Sequence, residues 1–383
     1  MNGAPAAPNT RLDRRRFLRG AAAGLAAAAA AGRPRGLPAA TPIPMQNRPA
    51  TRHKLGLDFF SLRSQSWTPF QLLDFAAKSG VQVGHFSEPR FLGSLDEAHL
   101  RKVREHADRL GLEVEVGMGS ICPSSSRFNK DDGTAEEQLV RMFGVAKILG
   151  SRFVRCYLGS SNDRQGTVPF DQHIENTVKT CKAVRSRALD MNVKIAIENH
   201  AGDMQALQLK QLIEEAGKDY VGALVDAGNA AWTLEDPLHT LETLAPYALT
   251  SGVRDSAIWE IESGAAVQWV PFGEGNIGIR KWAERFKQLC PNTTFELEII
   301  NLRTPREFAY WKPEFWNNYR DVPAHVFAGF EKIARGGKPY DKVPPGPAGA
   351  DRDSPEFKQF LADQERRDVE HDIRFCKQEL GLG

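Results

Sequence analysis

The sequence predicts an α/β protein built as a (β/α)8 TIM barrel with a C-terminal extension. Short apolar segments alternate eight times with segments of helical periodicity between about residues 55 and 335. Such alternation implies parallel strands, and eight units over roughly 250 residues is the size of a (β/α)8 barrel. A doubly wound open sheet is the alternative. It usually carries a glycine-rich phosphate loop after its first strand, where this chain has Phe60-Ser61-Leu62-Arg63.

Each element is predicted from its pattern of apolar residues. A strand shows alternation with a period of two or a continuous apolar run, and a helix shows a period of 3.6 residues. The predicted strands are 55–59, 81–86, 112–116, 153–157, 193–197, 221–225, 248–254 and 295–300. The predicted helices cover about 69–79, 95–110, 135–149, 170–191, 204–216, 237–245, 279–289 and 322–334. A long loop is predicted between the seventh strand and its helix.

Three regions are predicted along the chain. Residues 1–40 resemble a twin-arginine signal peptide and linker, because paired arginines and Phe17-Leu18 precede a weakly apolar, alanine-rich stretch. The alternative is a short amphipathic N-terminus. The barrel is predicted over 52–335, followed by a linker and helical tail over 336–383. The signal predicts a periplasmic or secreted protein with no stable membrane span after the signal is removed.

Composition limits the partners of the protein. The formal net charge is +2, and without residues 1–40 there remain 43 basic and 47 acidic residues, a charge of −4. A slightly acidic chain with nine scattered histidines argues against nucleic-acid binding and against an endonuclease of the same fold. Five widely spaced cysteines, without a Cys-x-x-Cys motif, predict no disulfide framework. A small, neutral or weakly charged substrate is expected, although a local basic pocket remains open.

Carboxylates end three of the predicted strands. Glu198, Asp226 and Glu298 end the fifth, sixth and eighth strands, and in a barrel these ends converge on the catalytic face. Buried acids are costly unless they pair or bind a cation, so the pattern predicts a metal site. Glu296 shares a strand face with Glu298, which we choose because it lies nearer the strand end. For any one acid, a salt bridge or a helix N-cap is the alternative.

The order and placement of these motifs resemble the xylose isomerase-like TIM-barrel proteins, the sugar phosphate isomerase/epimerase group. The resemblance covers about residues 55–335 and includes Glu198-Asn199-His200, Asp226-x-x-Asn229, Arg254-Asp255, Phe272-Gly273-Glu274-Gly275 and Glu298.

The resemblance implies one divalent metal ion (Mn, Mg, Co or Zn) held by two glutamates, an aspartate and a histidine. Glu198, Asp226 and Glu298 match three of these ligands, but Gly252 stands where the histidine is expected. Gln268, Asp255 or a water is the expected substitute.

The resemblance also implies a function, a metal-dependent sugar isomerase or epimerase that works through an enediolate. Glu198 and Glu298 would act as its base and acid on an unphosphorylated sugar or keto-sugar derivative. Two alternatives stay open: a lyase acting on 3-keto-glycosides, and a catalytically inactive carbohydrate-binding barrel.

Further polar and aromatic residues near the strand ends are predicted to bind substrate. They are His200, His85, Glu88, Arg155, Arg254, Asn229 and Trp269. The alternatives are a buried, satisfied histidine, an ion pair of Arg155 with Glu198, orientation of an aspartate by Arg254, and loop packing by tryptophan. A homo-oligomer is possible through residues 308–319 or the tail, which could equally cap the barrel of the same chain.

Overall fold

Eight parallel strands form the centre of the computed structural model, which describes residues 53–383. They are β1 (Leu55–Asp58), β2 (Val83–Phe86), β3 (Glu113–Ser120), β4 (Phe153–Tyr157), β5 (Lys194–Glu198), β6 (Val221–Asp226), β7 (Ala248–Gly252) and β10 (Phe295–Leu297). They pair in chain order, and β10 pairs with β1. The sheet closes through Val253, which is bridged to Leu297 and hydrogen bonds to both neighbours of that residue. The predicted TIM barrel is confirmed.

Helices cover the outside of the strands. They are α1 (Pro69–Ser79), α2 (Glu97–Leu110), α3 (Ala135–Leu149), α4 (Phe170–Ala183), α5 (Arg185–Met191), α6 (Ala206–Ala216), α7 (Ala227–Ala230), α8 (Pro237–Leu244), α9 (Ile279–Leu289), α10 (Ala324–Arg335) and α11 (Pro355–Glu379). Capping boxes at Thr68 and Thr134 start α1 and α3, and Gly80 ends α1 in the left-handed conformation. Within residues 53–383, no helix combines the length and apolarity needed to cross a membrane. The predicted signal segment lies outside the described residues.

The prediction of a long loop after the seventh strand is wrong. The chain there forms an antiparallel hairpin of β8 (Asp255–Ile261) and β9 (Gly264–Val270), and β11 (Arg306–Phe308) adds a third strand. The strand-forming run Ile258-Trp259-Glu260-Ile261, followed by Ser263-Gly264, is the signal for it in the sequence. Trp259 and Trp269 therefore lie on strands.

The last helix, α11, packs against the barrel. Lys377 donates from its Nζ to the carbonyl oxygen of Ser79 at the end of α1, and Lys287 of α9 donates to that of Leu380. Apolar side chains of α11, such as Val369, belong to the main hydrophobic core. Helix α11 thus contacts the outer layer at both α1 and α9.

A buried polar cluster fills the middle of the barrel. Thr250 of β7 donates to Glu115 of β3, so both side chains face the interior, and His85 Nδ1 lies 2.8 Å from Glu296 Oε2. His85, Glu115 and Glu296 offer atoms within 4.8 Å of one another and could hold a metal ion. Burial, followed by the charge of Glu296, raises the pKa of Glu115 to about 8.

Replacement of Glu115 by glutamine is expected to change how stability depends on pH. Since the folded-state pKa is raised, the folded chain binds more protons than the unfolded chain between about pH 4.5 and 8, and stability falls as pH rises through that window. Between pH 5 and 8 the melting temperature of Glu115→Gln should fall less than that of the wild type, by roughly 5 °C or more.

Calorimetry at the two pH values measures this difference. Glu113→Gln on the same strand is the matched control, because the Glu113 side chain is 58% exposed. Equal slopes for Glu115→Gln and the wild type would contradict the prediction.

Candidate active site

Three carboxylates meet at the C-terminal end of the barrel. Glu198 ends β5, Asp226 ends β6, and Glu298 follows β10 directly. One oxygen of each lies within 4.8 Å of the others, and all three side chains are buried. By themselves these three groups could hold a metal ion.

Glu198 is held by two neighbours. The Nε of Arg155 donates to its Oε2 over 2.6 Å, and the Nδ2 of Asn229 donates to its Oε1 over 2.8 Å. The expected ion pair between Arg155 and Glu198 is present. Burial disfavours the charged guanidinium, but Glu198 and the acids around it hold the pKa of Arg155 above its ordinary value.

Arg254 connects the other two carboxylates. Its Nη2 donates over 2.5 Å to Asp226 Oδ2 and also to Glu298 Oε2. Burial raises the pKa of Asp226 to about 8, while Arg254 acts in the opposite direction. Burial likewise raises the pKa of Glu298. One guanidinium group therefore lies between two carboxylates of the candidate metal site.

The position of the expected fourth ligand has no side chain. A Cβ atom on Gly252 would lie 3.4 Å from Glu298 Oε2 and 3.5 Å from Asp226 Oδ2, the oxygens that accept from Arg254. A histidine at this position would enter the space that Arg254 now fills. As arranged here, with Arg254 between two acids, the ligand set does not fit a divalent ion.

The structure does not bring Gln268 to these acids. Its Nε2 donates to the carbonyl oxygen of Leu302 over 2.7 Å, because Gln268 lies on β9 and alternates in direction with Trp269. His85 was predicted to bind substrate, but the structure places it elsewhere. It belongs to the interior cluster with Glu296 rather than to the wall of the cavity.

A cavity of about 370 Å³ opens above the acids. Six of the predicted substrate-binding residues line it: His200, Glu88, Arg155, Arg254, Asn229 and Trp269. Glu298 lines it as well, whereas Glu198 and Asp226 do not and are 0% exposed. Of the three converging carboxylates, Glu298 is the one that a molecule in the cavity would contact.

His200 presents a defined acceptor to this cavity. Its Nδ1 lies 2.7 Å from the carbonyl oxygen of Gly159, so Nδ1 carries the hydrogen and Nε2 is the acceptor of the neutral ring. Burial, followed by the charge of Arg155, holds the pKa of His200 well below its ordinary value. The ring stacks on Tyr157 at a centroid distance of 3.8 Å, which fixes its orientation.

Two arginines that the sequence analysis missed also line the cavity. Arg306 lies over the ring of Trp232 at 4.5 Å and donates to Ser161 Oγ over 2.6 Å. Arg127 lies in the loop after β3 and hydrogen bonds to Tyr157. Within residues 53–383, neither has a carboxylate within 4.0 Å. Arg127 lies in a loop and Arg306 begins the short outer strand β11, and the sequence pattern carries no directional signal at either position.

Comparison with known proteins places the chain in a family. Residues 73–316, more than half of the chain, match the family described as "Xylose isomerase-like TIM barrel". The chain belongs to this family, as the strand-end acids predicted.

Individual relatives are distant. A 3-oxo-isoapionate decarboxylase from Pectobacterium atrosepticum is 21% identical over 201 residues, an alignment that covers 52% of this chain and 64% of that enzyme. D-psicose 3-epimerase from Clostridium cellulolyticum H10 superposes with a TM-score of 0.56 and 11% identity, covering 85% of this chain and 99% of that one. For 3-keto-D-glucoside 4-epimerase from E. coli the TM-score is 0.51, the identity 10%, and the coverage 74% and 99%. The structural similarities establish the fold.

Loss of the Arg155 side chain is expected to destabilise the protein. Arg155→Met leaves the buried Glu198 carboxylate without its guanidinium partner, which should cost about 3–5 kcal/mol of the free energy of unfolding. Urea unfolding measures it, and the double variant Arg155→Met/Glu198→Gln should recover part of the loss.

Arg185→Met is the control, because Arg185 forms an exposed ion pair with Asp219 and its loss should cost less than about 1 kcal/mol. A loss of unfolding free energy of the same size in both single variants would contradict the prediction that the buried ion pair contributes more than the exposed one.

Proposed function

We propose that this protein is an enzyme that forms an enediolate on an unphosphorylated sugar or keto-sugar derivative, as an isomerase or epimerase does. One observation carries the proposal: Glu298, a carboxyl with a raised pKa, lines a cavity beside two guanidinium groups. Family membership and the sugar epimerases that share the fold support it.

The cavity supplies what proton abstraction next to a carbonyl requires. Removal of the C–H proton places negative charge on the carbonyl oxygen, and preorganised cationic donors lower the energy of that charge. Arg155 and Arg254 line the cavity and are held in place by buried acids. Glu298 takes the proton from carbon, and His200 Nε2 accepts a hydrogen bond from a sugar hydroxyl.

The arrangement favours isomerisation over epimerisation. Epimerisation with two bases needs a carboxylate on each face of the carbon, and the sequence analysis assigned these roles to Glu198 and Glu298. The structure buries Glu198 behind Arg155 and Asn229. We propose that Glu198 positions Arg155, while Glu298 removes the proton from one carbon and returns it to the neighbouring carbon. The hydroxyl proton passes from the neighbouring oxygen to the former carbonyl oxygen in the same conversion.

Two glutamine variants test these separate roles. Glu298→Gln should lower proton exchange at the substrate carbon by about 10³-fold or more, because glutamine cannot accept the proton. Glu198→Gln should retain more activity, because Arg155 keeps a neutral acceptor. Deuterium incorporation from D2O, followed by NMR on a panel of ketoses and keto-sugars, measures both.

Glu260→Gln is the control, since Glu260 is exposed on the outer hairpin. Normal exchange in Glu298→Gln would refute its role as the base. Binding of sugars without exchange in the wild type would favour the carbohydrate-binding alternative.

A lyase is the second candidate, and a specific observation favours it. Arg127 and Arg306 have no carboxylate partner in the described chain, so they can receive an anionic group of the substrate. From a 3-oxo sugar acid, cleavage of the bond to the carboxyl carbon releases CO2 and leaves its electron pair in the enolate, which Glu298 then protonates. The distant decarboxylase relative agrees with this possibility.

Arg306→Gln is expected to separate acidic from neutral substrates. Loss of one charge-assisted hydrogen bond should raise KM for a carboxylated keto-sugar roughly 10- to 100-fold and leave KM for a neutral one unchanged. Steady-state kinetics on a matched pair of substrates measures this, with the exposed Arg320→Gln as control. Equal changes for both substrates would argue against an anion site.

Three predictions from the sequence remain proposals. One is the single divalent metal ion (Mn, Mg, Co or Zn), which the proposal above does not include because Arg254 lies between two of its three predicted carboxylate ligands. The others are export by the twin-arginine pathway to the periplasm or medium and a possible homo-oligomer.

A further inference from the structure

We propose that the guanidinium group of Arg254 occupies the cation position of this site, so that the protein acts without a divalent metal ion. The inference rests on the proposed function only for its catalytic consequence, because metal binding is measured independently of turnover. It concerns Arg254, Gly252 and Gly228 of this chain, and none of its steps depends on the identity of the sugar.

The first argument is the position of the guanidinium group. Arg254 Nη2 donates to Asp226 Oδ2 and Glu298 Oε2, two of the three oxygen-bearing groups that could hold a metal ion. A metal ion bound by these oxygens would have to displace Arg254. Displacement would leave a buried guanidinium without its two carboxylate partners, which is strongly unfavourable.

The second argument is that the surroundings are shaped for this side chain. A Cβ on Gly228 would lie 2.1 Å from Arg254 Cγ and 2.6 Å from its Cδ, so only glycine lets the arginine stem pass. The ring of Trp269 covers the guanidinium at 4.4 Å, and its Nε1 donates to the carbonyl oxygen of Gly228 over 3.1 Å. Gly252 leaves open the space beside the two carboxylates.

The third argument is charge. Three carboxylates and two guanidinium groups leave one net negative charge when all are ionised, and a divalent ion would reverse it. Two cations held at hydrogen-bond distance from the same buried carboxylates repel each other strongly in a medium of low dielectric constant. Arginine and metal are therefore alternatives at this position.

Arg254 also faces the substrate cavity, which its side chain lines. A carbonyl oxygen bound against the guanidinium group would lie beside a fixed cation, which supplies the electrostatic stabilisation that a metal ion supplies as a Lewis acid. This assigns to Arg254 the role of stabilising the enediolate oxygen.

The test is metal content and metal affinity of the full chain, measured by elemental mass spectrometry and by calorimetric titration with MnCl2 and ZnCl2. The wild type should hold less than about 0.1 ion per chain and show no site at these acids. Arg254→Ala should gain a site, and Gly252→His/Arg254→Ala should bind close to one ion per chain with at least about tenfold higher affinity than Arg254→Ala.

Two further variants keep the test specific. Gly228→Ala pushes the arginine stem aside without removing a charge, and it should also gain metal binding. Arg306→Ala removes a positive charge from the same cavity but not from the acids, and it should gain none. Circular dichroism and melting temperature establish that each variant is folded.

Each outcome bears on the proposal. A metal ion in the wild type that is lost in Asp226→Asn overturns it, and so does a folded Gly252→His/Arg254→Ala variant that binds no ion. A wild-type ion retained in Asp226→Asn lies elsewhere, such as at His85, and overturns the inference that the protein acts without a divalent metal ion. Metal gain in Arg254→Ala supports it even if no sugar is turned over, so failure of the proposed function is distinguishable.

Discussion

Charge balance inside the barrel is the constraint on which the rest of the structure depends. Among residues 53–383, six carboxyl groups on the barrel strands or directly after them are buried with two guanidinium groups and one imidazole: Asp58, Glu115, Glu198, Asp226, Glu296 and Glu298 with Arg155, Arg254 and His85. Buried charges are stable only when they are paired, hydrogen bonded or neutralised by a proton. The barrel uses all three solutions, and it separates them by depth.

At the deeper level, protons balance the charge. Glu115 and Glu296 lie beside His85 and accept hydrogen bonds from threonine hydroxyls, and burial raises the pKa of both acids. At the mouth, arginines balance it: Arg155 pairs with Glu198, and Arg254 bridges the acids from β6 and β10. The mouth therefore keeps fixed cations at the place where substrate oxygens arrive, which a layer of protonated acids would not provide.

Glycines make this arrangement possible. A Cβ on Gly117 or Gly228 would press on the side chain of Arg155 or Arg254, and a Cβ on Gly252 would touch the carboxylate oxygens that pair with Arg254. An arginine stem needs several ångströms of free path inside a close-packed interior, and that path exists only where neighbouring strands and loops give up their side chains. Glycine at residue 252 removes the expected fourth metal ligand. The space left by the glycines lets Arg254 place its guanidinium group beside the acids instead.

The sequence by itself determined the barrel, the approximate bounds of most elements and the convergence of Glu198, Asp226 and Glu298. It could do so because strand period and chain order fix which residues face inward and which strand ends meet. It also predicted the Arg155–Glu198 pair, since an arginine in an apolar strand needs a carboxylate partner.

Only the tertiary structure decided which acid faces the cavity and what lies between the acids. The burial of Glu198, the bridging position of Arg254 and the presence of Arg127 and Arg306 at one cavity each depend on side chains contributed by different strands or loops. The periodicity of apolar residues within one segment carries no information about contacts between side chains of different segments. The same limit applies to the outer hairpin. Its strand-forming residues are visible in the sequence, but β11, which pairs with β9, lies some 35 residues further along the chain.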